Sequence, residues 1–300
     1  MNLETILSQP KVIRALTSLD ADEFEDLAQA FDVQWQAALA RRTAEGTARQ
    51  RAPGGGTKGA LPTARHKLLF ILLYCKLYPT QMLMGTLFGL SQPQVSERVG
   101  RLLAVLERTL GHKLVLPVRQ AADLPQALAR CPGLKFCLDG TERRVSRPQD
   151  PAQQKACYSG RRKTHTVKNA VIEAGGEIIA VSETVPGRVH DKAAAAAAWG
   201  AVVYPMGSVV LRDSGFLGLG CAGAQVLEPA KKPRGGELSE GLKAANRVIA
   251  SWRVPVEHGL CGIKRCRIVR DIFRNRRAGM VDQVMNVASG LHNLRRRSRR

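Results

Sequence analysis

The sequence lacks a long apolar run and cysteine pairs at metal-binding spacing. Its longest apolar stretch, Leu68 to Cys75, is far shorter than the roughly 20 residues of a transmembrane helix. The first twenty residues show no basic start followed by an apolar stretch, so we expect no signal peptide. The seven cysteines contain no C-x-x-C pair, which argues against a zinc ribbon or a disulfide framework. We therefore expect free thiols in a reducing, cytoplasmic compartment.

Acidic residues are also scarce, with 25 Asp and Glu against 46 Lys and Arg and a net charge of +21. Such a charge favours a polyanionic partner, nucleic acid first and an anionic membrane surface second. Residues 1–40 hold two basic and seven acidic residues, a net charge of −5 that leaves +26 for the rest. We therefore expect the phosphate-binding surface to lie after residue 40. A hydrophobic content of 44% over 300 residues excludes wholesale disorder and allows a buried core.

The first 62 residues predict a helical segment and a linker. Residues 1–40 are expected to be helical, because Asp20 and Glu23 match a capping box. Four apolar residues then recur at helical spacing and predict a packing helix: Phe24, Leu27, Phe31 and Trp35. Residues 41–62 contain three consecutive glycines and several arginines, which predicts a basic flexible linker.

Residues 63–110 have the pattern of a helix-turn-helix. Thr63 and Thr80 can each cap a helix, and a short glycine-containing turn leads to a capping box at Ser91 and Gln94. The second helix has one apolar face: Val95, Val99, Leu102 and Leu106. A plain αα-hairpin fits the pattern about as well, and the basic balance favours DNA binding. The polar side chains expected to contact DNA are Gln92, Gln94, Ser96, Arg98 and Arg101.

After a connector at residues 111–130, the pattern changes to strands. The order from residue 131 is a strand, a β-hairpin, a helix, two strands and a helix, which predicts an α/β fold with a mixed sheet. The short apolar run at residues 209–211 is typical of a buried parallel strand. This second region is expected to extend to residue 294.

Two aspartates stand at the predicted carboxyl ends of buried strands. Asp139 precedes Gly140, and Asp213 precedes Ser214. If the two strands are neighbours, the carboxylates converge at the sheet edge where ligands bind. Close carboxylates repel each other unless a cation lies between them, and Mg²⁺ prefers carboxylate oxygens. A turn or loop cap remains the alternative for each aspartate alone.

The helix predicted after residue 238 adds charged side chains. Arg253, Glu257 and Lys264 fall on one side of an ideal helix, and Pro255 is expected to kink it. Its apolar face is expected at Leu242, Ala245, Ile249, Trp252 and Val256. One carboxylate between two cations could complete a metal site and hold phosphates. A surface Arg–Glu pair is the alternative.

Taken together, these residues resemble the DDE transposases of bacterial insertion sequences, in the branch related to Harbinger-type elements. Residues 63–106 are similar to the helix-turn-helix of that family, and residues 138–293 to its catalytic domain. The matching pieces are Asp139–Glu142, Tyr158–Lys168, Pro186–Asp191, Asp213–Phe216, Arg253–His258 and Gly262–Arg265. The family's Y-x2-R-x3-E-x6-K signature is matched at Arg253, Glu257 and Lys264, with Ala250 at the tyrosine position.

The resemblance implies an RNase H-like DDE catalytic domain over residues 131–294. It implies that Asp139, Asp213 and Glu257 are the catalytic triad and hold two Mg²⁺ ions, with Mn²⁺ as a substitute, for cleavage and strand transfer. His190 and Asp191 resemble a supporting pair near the site, although a helix cap also explains Asp191. Expected partners are terminal inverted repeats, target DNA and a second copy of the chain on DNA at the bacterial nucleoid, without a membrane. A DNA-binding relic and an RNase H-like nuclease are the alternatives.

Two dense basic clusters are expected to contact phosphates. The first is Arg161, Arg162 and Lys163, in a predicted turn between strands. The second is an Arg-rich tail at residues 295–300, in which five of the six residues are Arg.

Overall fold

The computed structural model describes residues 2–44, 59–233 and 235–299. Most of the predicted basic linker, residues 45–58, lies outside the described residues. The chain divides into a helical unit, made of residues 1–116, 265–268 and 283–300, and a sheet unit, made of residues 117–264 and 269–282. No helix in the described part of the chain is long and apolar enough to cross a membrane.

In the described residues, the helical unit starts with six helices, of which the first, fourth, fifth and sixth begin at a side-chain cap. Thr63 and Thr80 accept hydrogen bonds from the His66 and Leu83 amides, and the predicted capping box of Ser91 and Gln94 is confirmed. The helices are α1 (Leu3–Leu7), α2 (Pro10–Thr17), α3 (Ala21–Ala44), α4 (Ala64–Leu77), α5 (Gln81–Phe88) and α6 (Gln92–His112).

The core of this unit forms from the predicted apolar faces. On α3, Phe24, Leu27 and Phe31 are fully buried, and the predicted stripe of α6 is at most 1% exposed. Gly89 joins α5 to α6 with a φ of +64°, a left-handed conformation that glycine adopts without a steric cost. The Leu90 N–H then donates to the Gly85 carbonyl at 2.9 Å. These features form the predicted helix-turn-helix.

The basic C-terminus differs from the predicted tail. Residues 295–298 continue helix α12 (Met280–Ser298), and the Arg295 side chain is 3% exposed. Arg299 forms ion pairs at 3.2 Å with Asp20 and with Glu23. Arg299 therefore contacts the acidic N-terminal segment of its own unit. Residues 283–294, predicted as part of the catalytic region, also belong to the helical unit.

The sheet unit consists of a mixed sheet with helices on both faces. The strands have the order β2-β3-β1-β6-β7, with β4 and β5 also paired to β3. The strands are β1 (Lys135–Arg144), β2 (Tyr158–Ser159), β3 (Thr164–Ala174), β4 (Glu177–Val181), β5 (Val185–Pro186), β6 (Ser208–Arg212) and β7 (Ala224–Leu227). The helices are α7 (Leu124–Ala129), α8 (Pro151–Cys157), α9 (Asp191–Trp199) and α10 (Glu240–Ile263), while α11 (Arg267–Arg270) and α12 cross the unit boundaries.

Side chains of β1 and β6 alternate between two apolar clusters. Leu138 and Val210 pack with α7 and α9 residues such as Leu128 and Trp199 on one face. On the other face, Cys137 and Leu211 pack against Val256 of α10. Because successive strand residues point to opposite faces, the sheet has an α9 face and an α10 face. The predicted α/β class is confirmed, and β1 and β6 are parallel neighbours.

Strand β1 is longer than expected. The prediction that it ends at Asp139 is wrong, because β1 continues to Arg144. Antiparallel pairing with β3 holds the extension, from Gly140 opposite Ala170 to Arg144 opposite Thr166. Asp139 therefore lies inside β1, at the point where the parallel pairing with β6 stops.

Candidate active site

The register of β1 and β6 places the two aspartates side by side. Leu138 opposite Arg212 is the last parallel pair, and the next residue of each strand is Asp139 or Asp213. Neighbouring strands lie about 4.8 Å apart. Asp139 comes two residues after Cys137, and Asp213 comes two residues after Leu211. Because strand side chains alternate between the two faces, both aspartates lie on the α10 face with Cys137 and Leu211. The condition for the expected convergence, that the two strands are neighbours, is therefore met.

Helix α10 is fixed to this face near the aspartates. Val256 is fully buried against Cys137 and Leu211, and the Cys137 thiol donates to the Trp252 carbonyl at 3.7 Å. The Lys135 ammonium lies 5.6 Å from the centroid of the Trp252 ring. These contacts bring Arg253 and the exposed Glu257 to the side of the sheet that carries the aspartates.

The apolar face predicted for α10 is only partly covered. Val256 is buried, whereas Leu242 and Trp252 are 46% and 49% exposed. The helix also continues through Pro255 to Ile263, so residues after the proline keep helical spacing. Lys264 caps the C-terminus of α10 and is half-buried.

The Asp139 carboxylate is held by two donors. Its Oδ1 accepts from the Gly140 N–H at 2.7 Å, and its Oδ2 lies 3.5 Å from Nη2 of Arg253. Burial raises the pKa of Asp139 above its ordinary value, the Gly140 N–H and Arg253 oppose that rise, and the Asp213 and Glu257 carboxylates add to it. Three carboxyl groups from distant parts of the chain therefore interact electrostatically.

The donor chemistry at this point suits a hard divalent cation, because all three groups supply carboxylate oxygens. The Asp213 Oδ1 accepts from the Gly215 N–H at 2.9 Å, which fixes its orientation. Within the described ranges, no three His, Cys, Asp or Glu side chains are gathered closely enough to hold a metal ion. In this structure, the cation next to the Asp139 carboxylate is the Arg253 guanidinium.

The pair His190 and Asp191 lies on the other face of β1. His190, rather than Asp191, is the N-cap of α9 and accepts from the Lys192 N–H. A Cβ added to Gly140 would lie 3.3 Å from the Asp191 carboxyl carbon, which places Asp191 behind the strand that carries Asp139. The Lys168 ammonium holds Asp191 at 3.1 Å and the Val189 carbonyl at 3.1 Å. Lys168 was not predicted as a site residue, although it lies in the segment Tyr158–Lys168 that resembles the family.

The predicted DNA-contacting residues of α6 fall into two groups. Gln92, Gln94 and Ser96 are exposed, with the Gln92 amide bonded to Gln81 and the Gln94 side chain used in the capping box. Arg98 is half-buried. Arg101 does not point away from the packed face as expected, because its guanidinium carbon lies 4.2 Å from the Trp35 ring centroid.

Lys67 and Trp35 extend this basic surface and were not selected from sequence. The Lys67 ammonium lies 5.2 Å from the Trp35 ring centroid. Burial lowers the pKa of Lys67, and Arg98 and Arg101 lower it further while Asp32 opposes them. Two cations, Lys67 and Arg101, thus lie against one aromatic ring, and Arg98 is close enough to Lys67 to affect its pKa. The ring is on α3 and the cations are on α4 and α6, so the sequence carried no local signal for this cluster.

The basic cluster at residues 161–163 occupies a four-residue turn between β2 and β3, as predicted, and its three side chains are exposed. Arg162 forms an ion pair with Glu142 at 3.6 Å, and Lys163 adopts a φ of +53°.

Two family models match the chain. Residues 138–293 match the model described as DDE superfamily endonuclease, and residues 59–111 match the helix-turn-helix of DDE superfamily endonuclease. No curated protein and no solved structure gives a significant match. The helical N-terminal region and the mixed sheet with helices on both faces agree with a helix-turn-helix followed by an RNase H-like fold. Because the first match spans more than half of its residues, the chain belongs to the DDE superfamily of endonucleases.

Proposed function

We propose that the chain is a transposase that binds the terminal inverted repeats of an insertion sequence, cleaves phosphodiester bonds there and joins the freed 3′ end to target DNA. The observation that carries this proposal is the adjacency of Asp139 and Asp213 in neighbouring parallel strands, with Glu257 close enough to act on the Asp139 pKa. The helix-turn-helix match supports the DNA-binding part.

Among the described residues the three carboxylates are not gathered closely enough to hold a metal ion, so Asp139, Asp213 and Glu257 would have to close around the divalent cations, Mg²⁺ with Mn²⁺ as a substitute, two in each site. When bound, such ions lower the pKa of a nucleophilic water or hydroxyl and stabilise the charge on the leaving oxygen. The chain keeps the carboxylates oriented through the Gly140 and Gly215 amides. No covalent enzyme intermediate is needed, so no nucleophilic Ser or Tyr is assigned.

The cationic side chains around the carboxylates would position DNA. Arg253 and Lys264 lie on the helix that carries Glu257, and we assign them to phosphates of the scissile strand. Arg161, Arg162 and Lys163 would contact phosphates farther along. In the helix-turn-helix, the exposed Gln92 and Ser96 and the half-buried Arg98 would contact base edges. Arg101, which lies against the Trp35 ring, would attract the DNA phosphates through its positive charge.

Joining two transposon ends in one reaction requires two active sites. We therefore propose that two copies of the chain act together on DNA, at the chromosome in the bacterial cytoplasm.

Strand cleavage tests the enzymatic proposal. Purified protein with Mg²⁺ is expected to nick a supercoiled plasmid, and Asp139→Asn is expected to lower the rate by at least a hundredfold. Asp123→Asn is the matched control, since Asp123 is an exposed carboxylate at the start of α7, and it should keep the full rate. DNA binding without nicking, with either Mg²⁺ or Mn²⁺, would instead identify a DNA-binding relic.

A second assay separates a transposase from a general RNase H-like nuclease. Band-shift titration with the element's terminal repeat and with a scrambled duplex is expected to show preference for the repeat. The double variant Ser96→Ala/Arg98→Ala should reduce that preference, because we assign both side chains of α6 to base edges. Equal affinity for both duplexes in the parent protein would contradict repeat recognition.

A further inference from the structure

The sheet unit contains a cleft that the proposed cleavage chemistry does not use. It has a volume of about 460 Å³, which falls in the range of small-molecule sites. Its walls are the loop after β1, residues 145–150, and the segment that precedes α12, residues 275–279. All the residues that line it belong to the sheet unit.

The floor of the cleft is apolar, and backbone hydrogen bonds hold it to the end of β1. Val145, Val167, Phe273 and Val281 contribute to it, and Phe273 is 5% exposed. Backbone hydrogen bonds join Ser146 to Phe273 and Phe273 to Arg144, at 3.0 and 2.9 Å. An apolar floor of this kind suits a flat, uncharged ring.

The rim of the cleft is basic. Arg147, Arg276 and Arg277 line it and are exposed, against one carboxylate, Asp150. That carboxylate caps α8 by accepting from the Gln153 N–H at 2.7 Å, and Gln154 accepts from the Arg147 guanidinium at 2.8 Å. Two cations in excess around an apolar floor fit a ligand that joins an aromatic ring to a phosphate.

The cleft also lies on the side of the sheet that carries the aspartates. The Val145 N–H extends the pairing of β1 with β3 by donating to the His165 carbonyl. An even number of residue steps separates Val145 from Asp139, so the two side chains lie on the same face of the sheet. Six residue steps along the strand separate Val145 from Asp139, about 20 Å at about 3.3 Å per step. That distance equals about six nucleotide steps of one B-form strand.

We propose that this cleft binds one unpaired nucleotide of the DNA strand, with its base on the apolar floor and its phosphates on Arg276 and Arg277. The proposal rests on DNA as the partner of the chain and adds a nucleotide site that is separate from the carboxylates. A base leaves the stack at a cost of a few kcal/mol, and contact with an apolar or aromatic surface returns about 1–3 kcal/mol per base.

The test uses two labelled single-stranded 12-mers of equal charge, one with a fully base-free backbone and one with a single thymine in that backbone. Fluorescence anisotropy without divalent metal is expected to show at least fivefold tighter binding of the thymine probe. Ala278→Phe, which fills the cleft from its wall without a change in charge, is expected to bring the ratio close to one. Retention of the ratio in Ala278→Phe, or its absence from the parent protein, would overturn the proposal.

The arginines are tested with a charge-matched pair of variants. Arg276→Ala/Arg277→Ala should weaken both probes more than Arg130→Ala/Lys232→Ala, which removes two exposed cations elsewhere in the same unit. Equal losses in the two variants would exclude a specific phosphate contact at the cleft. Circular dichroism of each variant shows whether the fold is kept.

Two further arms define the source of the nucleotide. A duplex of natural sequence should not compete for the cleft as well as the thymine strand does. Displacement of the probe by micromolar free thymidine monophosphate would identify a free-nucleotide site and contradict the strand proposal. Because the assay needs neither metal nor an inverted repeat, a protein without nicking activity can still pass it.

Discussion

At the scale of single residues, the candidate site depends on Gly140. Its position in β1 directly follows Asp139, and the space where a Cβ would stand is bounded by Asp191, 3.3 Å away. Asp191 is in turn held by Lys168 at 3.1 Å. A methyl group at position 140 therefore requires the Asp191 side chain, or the strand that carries Asp139, to move by a few tenths of an ångström.

Gly140→Ala is expected to lower the nicking rate by about tenfold, because a misplacement of about 1 Å can cost a hundredfold in rate and the shift needed here is smaller. Removing the obstacle with Asp191→Ala should restore part of that loss. Rates of both single variants and of the double variant complete a double-mutant cycle. Purely additive effects would show that residues 140 and 191 do not interact.

His66 connects α1 and α4 and gives the helical unit a dependence on pH. Its Nε2 lies 3.0 Å from Glu4, and its Nδ1 lies 2.6 Å from the Thr63 hydroxyl, which already accepts from the His66 amide. Burial lowers the pKa of His66 below 6.5, and Glu4 opposes that change. The folded chain therefore binds this proton less readily than the unfolded chain.

Because the folded pKa is the lower one, the stability that His66 contributes is complete above pH 6.5. It decreases as the pH falls from there through the folded pKa, by at most about 1.4 kcal/mol per pH unit. Urea unfolding at pH 5.5 and 7.5 measures this difference. His66→Gln should reduce the difference, and an unchanged pH dependence in that variant would exclude His66 as its source.

At the scale of elements, the helix-turn-helix depends on the close approach of α5 to the turn before α6. A Cβ at Gly85 would lie 2.4 Å from the Leu90 carbonyl oxygen, whereas a Cβ at Gly241 in α10 would meet nothing within 4 Å. The atom that a Cβ at Gly85 would meet belongs to the backbone, so it cannot move aside without changing the turn before α6.

Gly85→Ala is expected to lower the free energy of unfolding by roughly 1–3 kcal/mol. Gly241→Ala, the matched helical control, should raise it by about 0.5–1 kcal/mol, since alanine loses less backbone entropy on folding. The midpoints of urea unfolding compare the two variants. If both glycines tolerate alanine equally, the close packing at the turn is not a constraint.

Elements with local start and stop signals could be predicted from sequence, and those set by distant pairing could not. The bounds of α4, α5 and α9 follow from caps and turns a few residues away. The extension of β1 past Asp139 depends on its pairing with β3. The ion pairs of Arg299 depend on Asp20 and Glu23, which lie at the other end of the chain. The neighbouring aspartates were predictable only on the condition that their strands pair, and the contact of Arg253 with Asp139 was not predicted.

At the scale of the whole molecule, several acidic side chains of the N-terminal segment are paired with cations, whereas several cations of the sheet unit remain exposed. Acidic residues of the N-terminal segment pair with cations of the helical unit, as in Glu25 with Arg65 and Asp26 with Lys113, both at 2.7 Å. In the sheet unit, the rim of the cleft and the turn at residues 161–163 keep exposed cations. The segment with a net charge of −5 therefore acts as an internal counterion, an outcome that charge counting alone did not show.

The central claim is that Asp139, Asp213 and Glu257 together hold divalent cations. Electron paramagnetic resonance of free Mn²⁺ in titrations with the protein and a cleaved-end duplex measures this directly. The account predicts two ions bound by each parent chain, and loss of binding in Asp139→Asn, Asp213→Asn and Glu257→Gln but not in Asp123→Asn. Mn²⁺ binding that is the same in all of these proteins would contradict the account.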